Sequence, residues 1–196
     1  MGTIKTTNIE PIADNGTVTL GSSGDTFTVP SGVTVNMSSA TQTGVGGVNT
    51  PAFEARNTGT QTSISDNVWT KMTLNSETYD TDNAFDSTTN YRFTPQVAGK
   101  YFFYAKSALQ VSSYNDLRNG NVKFYKNGSE QNYTETRFTL YGNTTGGTGA
   151  APFISAVFDM NGSSDYVEAY LKINGLNSTA QSAEYNLFGG YKIIGA

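Results

Sequence analysis

Asn67-Val-Trp69-Thr-Lys-Met-Thr-Leu74-Asn, Tyr79-Asp80, Phe85-Asp86, Asn90-Tyr91-Arg-Phe93-Thr94-Pro95 and Ala98-Gly99-Lys-Tyr101-Phe-Phe103-Tyr succeed one another in the middle of the chain. Its last strand-like run is Phe188-Gly-Gly190-Tyr191-Lys-Ile-Ile. Short aromatic and β-branched runs broken by turn residues read as strands. Helical periodicity is almost nowhere, and alternation with period two recurs.

Residues 165–173 show that alternation best. Val167, Ala169, Leu171 and Ile173 share one face, and Tyr166, Glu168, Tyr170 and Lys172 the other, because successive side chains on a strand point to opposite sides. Five Asn-Gly pairs, at Asn15, Asn119, Asn127, Asn161 and Asn174, punctuate the runs. Asn-Gly takes positive φ at both central positions of a tight hairpin turn. Short strands between such turns predict an all-β sandwich.

Composition narrows the function classes. The chain has 196 residues, enough for one domain plus an appendage. Twelve Tyr and eleven Phe supply bulky core area, and only 14% of residues are charged, the opposite of a disordered chain. Net charge is −4 with no basic run, so phosphate binding and a nucleic-acid partner are not expected. Cysteine and histidine are both absent. That removes disulfides, thiolate metal sites and the commonest general base. The N-terminus has no apolar h-region, so no signal peptide is expected, and no uncharged stretch is apolar enough to predict membrane insertion.

Residues 4–36 differ in texture from the rest of the chain. Thr17-Val-Thr-Leu20, Thr26-Phe-Thr-Val29 and Val33-Thr-Val35 read as three very short strands of a β arm, residues 1–37. A lone arm of this size buries too little to be stable, so it is expected to pack on copies of itself or on a partner. Residues 38–50, with Gly44, Gly46 and Gly47, read as a flexible linker reaching at most roughly 40 Å.

The order of an early Trp strand, a Tyr-Asp pair, an Arg-Phe-Thr-x-Pro segment, a Gly-x-Tyr-x-Phe strand and a terminal Phe-x-Gly-Tyr strand resembles the C1q/TNF-like family of trimeric jelly rolls. The match spans residues 51–194. The resemblance implies a knob of about ten strands over residues 51–196, a homotrimer, and binding rather than catalysis. It places Trp69, Phe93 and Tyr191 in the core. It also implies that one face of the aromatic strand packs around a threefold axis, and the candidates for that interface are Tyr101, Phe103, Tyr170 and Phe188. The arm, through Thr3–Ile9, Gly16–Leu20 and Asp25–Gly32, resembles N-terminal segments of marine tailed-phage structural proteins.

Chemical motifs have plainer readings beside them. Asp80, Asp82, Asn83 and Asp86 offer hard oxygen ligands, but the cluster lacks the later Gly and bidentate Glu of a calcium loop. Asp80 and Asp82 are therefore candidates for a metal, set against a solvated turn, and no cofactor is expected. Asp159, Asp165, Glu168, Glu135 and Glu130 are the carboxylates from which a glycosidase pair would come, and nothing in linear sequence fixes one. Trp69 could stack on a sugar in a lectin reading, set against a core role in the family reading. No Ser stands in a Gly-x-Ser-x-Gly setting, and Thr144–Gly149 lacks the ending of a phosphate loop.

The expectation is a non-enzymatic tailed-phage protein at the virion surface. Its arm (residues 1–37) would meet other virion proteins, and its homotrimeric knob would meet a host-surface glycan or protein through loops 112–120 and 142–151. The alternative is a capsid decoration protein, and the remotest reading is a carbohydrate-active enzyme.

Overall fold

Strands in this chain are set by alternation and closed by turns, and two antiparallel sheets result. The computed structural model describes residues 17–35, 49–113, 116–139, 148–176 and 181–194. The chain divides into two compact units, Met1–Val45 and Gly46–Ala196.

In the second unit the strands are β1 (Ala52–Arg56), β2 (Thr70–Lys71), β3 (Ser76–Asp80), β4 (Phe85–Asp86), β5 (Arg92–Phe93), β6 (Gly99–Val111) and β7 (Leu117–Lys126). After them come β8 (Ser129–Glu130), a 3₁₀ turn at Asn132–Thr134, β9 (Thr136–Thr139), β10 (Gly149–Ala150), β11 (Phe153–Met160), β12 (Val167–Gly175) and β13 (Gln181–Lys192). Five of these are two-residue fragments, which is why the sequence predicts nearer ten. One sheet runs β10-β6-β13-β1-β3, with β11 also on β6; the other runs β4-β5-β12-β7-β8, with β2 on β12 and β9 on β7.

The core lies between the sheets and is aromatic. Phe53 stacks on Phe93 at 4.3 Å and Phe85 at 5.0 Å, and meets Phe188 edge-on at 4.9 Å. Phe103 touches Phe158 and Phe188 at 5.8 and 5.9 Å. Rings at these separations add to the area they bury. Val167, Ala169, Leu171 and Ile173 are buried as their alternation predicts.

The structure corrects two sequence-based expectations. Thr17–Leu20, Thr26–Val29 and Val33–Val35 are not strands in the single chain, and residues 17–35 are exposed throughout. Two turns order them, closed by Asp25 N–H to Ser22 O and Val33 N–H to Pro30 O. Segments this short have no second strand to pair with. The Asn-Gly pairs also divide. Asn127-Gly128, with φ of 53° and 75°, makes the tight turn from β7 to β8. Asn119-Gly120 lies inside β7, where a Cβ on Gly120 would stand 2.8 Å from Leu109 Cδ1, so this glycine serves packing between the sheets. Asn174-Gly175 ends β12 at a bulge. Asn15-Gly16 lies outside the described residues, as do residues 38–48 of the expected linker.

Phe53 touches four other buried rings. Phe53→Ala is expected to lower the unfolding free energy by about 3–5 kcal/mol, read by guanidinium denaturation at fixed protein concentration. A loss under about 1 kcal/mol would contradict this packing.

Candidate subunit interface

β6 alternates strictly. Tyr101, Phe103, Ala105, Ser107, Leu109 and Val111 point into the core, while Phe102, Tyr104, Lys106, Ala108 and Gln110 form part of the outer face. Register completes that face. Phe102 lies between Tyr191 of β13 and Val157 of β11, and Tyr104 between Gly189 and Ser155. Rows of rings result: Phe102 sits 5.6 Å from Tyr191 and 6.4 Å from Tyr104. Tyr191, Val157, Phe153 and Tyr79 remain exposed.

Tyr104 is fixed from two sides. Its hydroxyl donates to Glu54 Oε2 at 2.9 Å, and its ring lies over Gly189, where a Cβ would stand 2.4 Å from the ring. Burial first, then the bond to Glu54, pushes the phenol far above its ordinary pKa, so it stays a neutral donor.

None of the four interface candidates lies on this face. Tyr101, Phe103 and Phe188 are fully buried in the chain's own core, with no area to offer a second subunit; Phe102 and Tyr104 are the neighbours that face out. Tyr170 is on the other sheet, stacked on Tyr125 at 3.9 Å. Phe93 is a core residue. Tyr191 is not: it faces outward at 36% exposure, because a bulge earlier in β13 shifts its alternation. Trp69 is half-buried on the outer face of the second sheet, with Lys123 and Lys172 ammonium groups 4.5 and 4.7 Å from its ring.

That second outer face pairs its own charges. Lys123, buried, bonds Glu130 at 2.8 Å and Glu135 at 3.2 Å. Burial alone would lower this lysine's pKa, but the two carboxylates outweigh it and hold it above the ordinary value. Lys71 pairs with Glu168 on the same sheet; elsewhere Lys100 pairs with Asp159 on the first sheet, and Lys126 with Asp165 at the sandwich edge. All five glycosidase candidates are thus ion-paired to lysine. Glu135 and Asp165 are pulled below their ordinary pKa values, whereas the acid of such a pair needs a raised one.

The carboxylate of Asp80 accepts from the backbone N–H groups of Asp82 and Phe85 at 3.3 and 2.7 Å. Asp82 accepts from the Thr81 hydroxyl at 2.6 Å. Both shape the turn from β3 to β4, and no group of three potential ligands gathers among the described residues. Of the loops expected to meet a host, residues 117–120 open β7 and 149–150 form β10, while 114–115 and 140–147 lie outside the described residues.

No protein-family model matches the chain, and no curated protein is significantly similar to it in sequence. Solved structures are similar in fold. The TNF protein Eiger from S. frugiperda superposes with a TM-score of 0.53 at 11% identity, covering 74% of this chain and 93% of that one. The globular domain of zebrafish complement 1qA gives 0.49 at 18% identity, covering 73% and 96%. Murine APRIL gives 0.48 at 10%, covering 72% and 98%. The fold is an all-β jelly roll of the C1q/TNF type.

Acid should loosen this structure. Asp86 is held well below the carboxylate range, first by the Thr89 N–H and then by Thr88 and Asn90. Asp165 is lowered first by the Asn127 amide and then by Lys126. For Glu135 burial raises the pKa, but Lys123 and Asn121 lower it further. A depressed carboxylate stabilises the fold above its unfolded pKa, and that stability is lost as pH falls through the folded value. The melting temperature should therefore hold near neutrality and decline below about pH 4. Asp86→Asn should reduce that decline; a parent profile flat down to pH 2 would refute the assignment.

Proposed function

We propose that this protein is a homotrimeric, non-catalytic knob displayed on the virion surface of a tailed bacteriophage, where it serves adhesion to the host. The observation that carries the trimer is the aromatic outer face of the first sheet. Phe102, Tyr104, Val157, Phe153 and Tyr191 lie side by side on it, and a contiguous apolar patch on a soluble domain marks an interface. A threefold arrangement follows from the resemblance to C1q/TNF-like trimers. The phage setting rests on the likeness of the N-terminal segment to tailed-phage structural proteins.

Geometry supports display at one end. Lys192 N–H donates to Pro51 O at 3.1 Å, so the knob's chain entry and final strand share an end. The β6–β7 and β12–β13 connections lie at the other. Three copies of a weak site on one rigid trimer gain affinity through effective concentration, by roughly a hundredfold or more where geometry allows joint engagement.

Light scattering on the purified chain should give about three times 21.0 kDa. Phe102→Asp combined with Val157→Asp should give a folded monomer, since a charge on each of two adjacent strands cannot be buried unpaired. A trimer that survives both changes would place the interface elsewhere.

A chain beginning at Asn49 should remain a folded trimer but fail to join particles, because residues 17–35 expose Val18, Leu20, Phe27, Val29, Val33 and Val35 to whatever they dock on. Normal incorporation of that chain would place attachment in the knob. Copy number then separates the readings: a few dozen per particle or fewer fits a tail or fibre position, and hundreds would make it a capsid decoration protein.

A further inference from the structure

β13 loses register against β6 between Glu184 and Leu187. The bulge carries Tyr185, whose φ of +50° is one that bulky residues rarely adopt, and whose ring is 73% exposed. A bulge that holds an aromatic side chain in a strained backbone and presents it to solvent points to use of that side chain. Tyr185 stands beside a cleft of about 380 Å3 lined by Arg56, Asn57, Thr58, Thr60 and Glu184. The cleft lies along β13 away from Tyr191 and Phe102, and its Arg56 shares a cross-strand row with Leu187, Lys106 and Phe153, at the border of the face proposed as the subunit contact.

The polar groups of the cleft are ordered. The Thr60 hydroxyl donates to Glu184 Oε1 at 3.0 Å, and the Gln110 amide donates to Oε2 at 3.3 Å. Each carboxylate oxygen keeps a lone pair for another donor. Arg56 is exposed and makes no ion pair among the described residues, leaving its fork of donors open. An aromatic plate, a held acceptor and a planar donor around one cleft match a ligand with an apolar face and a hydroxyl rim. A flat apolar compound would leave Glu184 and Arg56 unanswered, and an anion would meet Glu184.

We propose that this cleft binds a pyranose unit of a cell-surface glycan, its C–H face on Tyr185 and its vicinal hydroxyls shared by Glu184 and Arg56. The proposal rests on the adhesion reading and assigns its ligand class. None of the described residues of 112–120 and 142–151 lines the cleft.

Saturation-transfer NMR on the full-length protein, with the methyl glycosides of glucose, galactose, mannose and N-acetylglucosamine as probes, tests it. At least one should show transfer to its ring protons, lost in Tyr185→Gly and in Glu184→Ala with the trimer mass unchanged. Glycine accepts positive φ without strain, so Tyr185→Gly should melt no lower than the parent, which separates lost binding from lost folding. No transfer to any of the four, transfer that persists in Tyr185→Gly, or dissociation of that variant into monomers would overturn the proposal, the last by making the ring a subunit contact. Particles carrying Tyr185→Gly keep the two readings apart: adsorption to host cells equal to the parent's would leave adhesion standing and remove the cleft from it.

Discussion

Two adjacent side chains of β6 cross two adjacent glycines of β13, and the rest of the sandwich is arranged around that crossing. Phe103 faces Gly190 on the inner side, and Tyr104 faces Gly189 on the outer side. A Cβ on Gly190 would lie 2.6 Å from Phe103 Cδ1, and one on Gly189 2.4 Å from the Tyr104 ring. Both rings need bare backbone beneath them. The inner ring then reaches Phe53, Phe124, Phe158 and Phe188, and the outer one lies flat enough for its hydroxyl to meet Glu54 on β1. Core packing and outer surface are therefore coupled through one dipeptide, since interiors packed to crystal density transmit a shift of one ring to its neighbours.

Much of the fold was legible in the sequence, including parts that the resemblance obscured. Alternation alone yields the buried face of β12 and the all-β class. It also contains the facing of β6. The set Tyr101, Phe103, Ala105, Ser107, Leu109, Val111 carries no charge, whereas the set with Phe102 and Tyr104 carries Lys100, Lys106 and Gln110. A strand whose charges all fall on one parity exposes that parity, so Tyr101 and Phe103 belong in the core. Tyr170 shares its parity with Glu168 and Lys172, which likewise sets it on an outer face.

Phe188 and Tyr191 are harder for a physical reason. Gln181 and Ala183 point inward, then Asn186 and Phe188 do: the inward parity changes from odd to even across Tyr185. A one-residue bulge inverts every later assignment on its strand, and nothing in Glu184-Tyr185-Asn186 announces one. Asn-Gly pairs mislead in a similar way, because the dipeptide suits a tight turn and a crowded strand equally. At Asn119 the neighbour across the sandwich, Leu109, decides, and that neighbour is remote in sequence.

The two outer faces of the sandwich are chemically unlike, and the difference orders the molecule. On the second sheet Lys71, Lys123 and Lys126 each hold a carboxylate, Arg92 lies 4.3 Å over the Tyr166 ring, and Tyr125 stacks on Tyr170. These ion pairs and ring contacts are made within the chain, so little would be gained by covering them, and desolvating them would cost more than exposed charges return. The first sheet has the opposite balance. Its central rows carry rings and Val157, with Tyr104 already tied to Glu54 and kept neutral. Covering the rings and Val157 removes apolar area from water at roughly 25 cal/mol per Å², while Lys100 stays paired with Asp159 and Glu54 with the Tyr104 hydroxyl. Association through the first sheet leaves the charged sheet facing solvent, and a face that satisfies its own ions is suited to stay there.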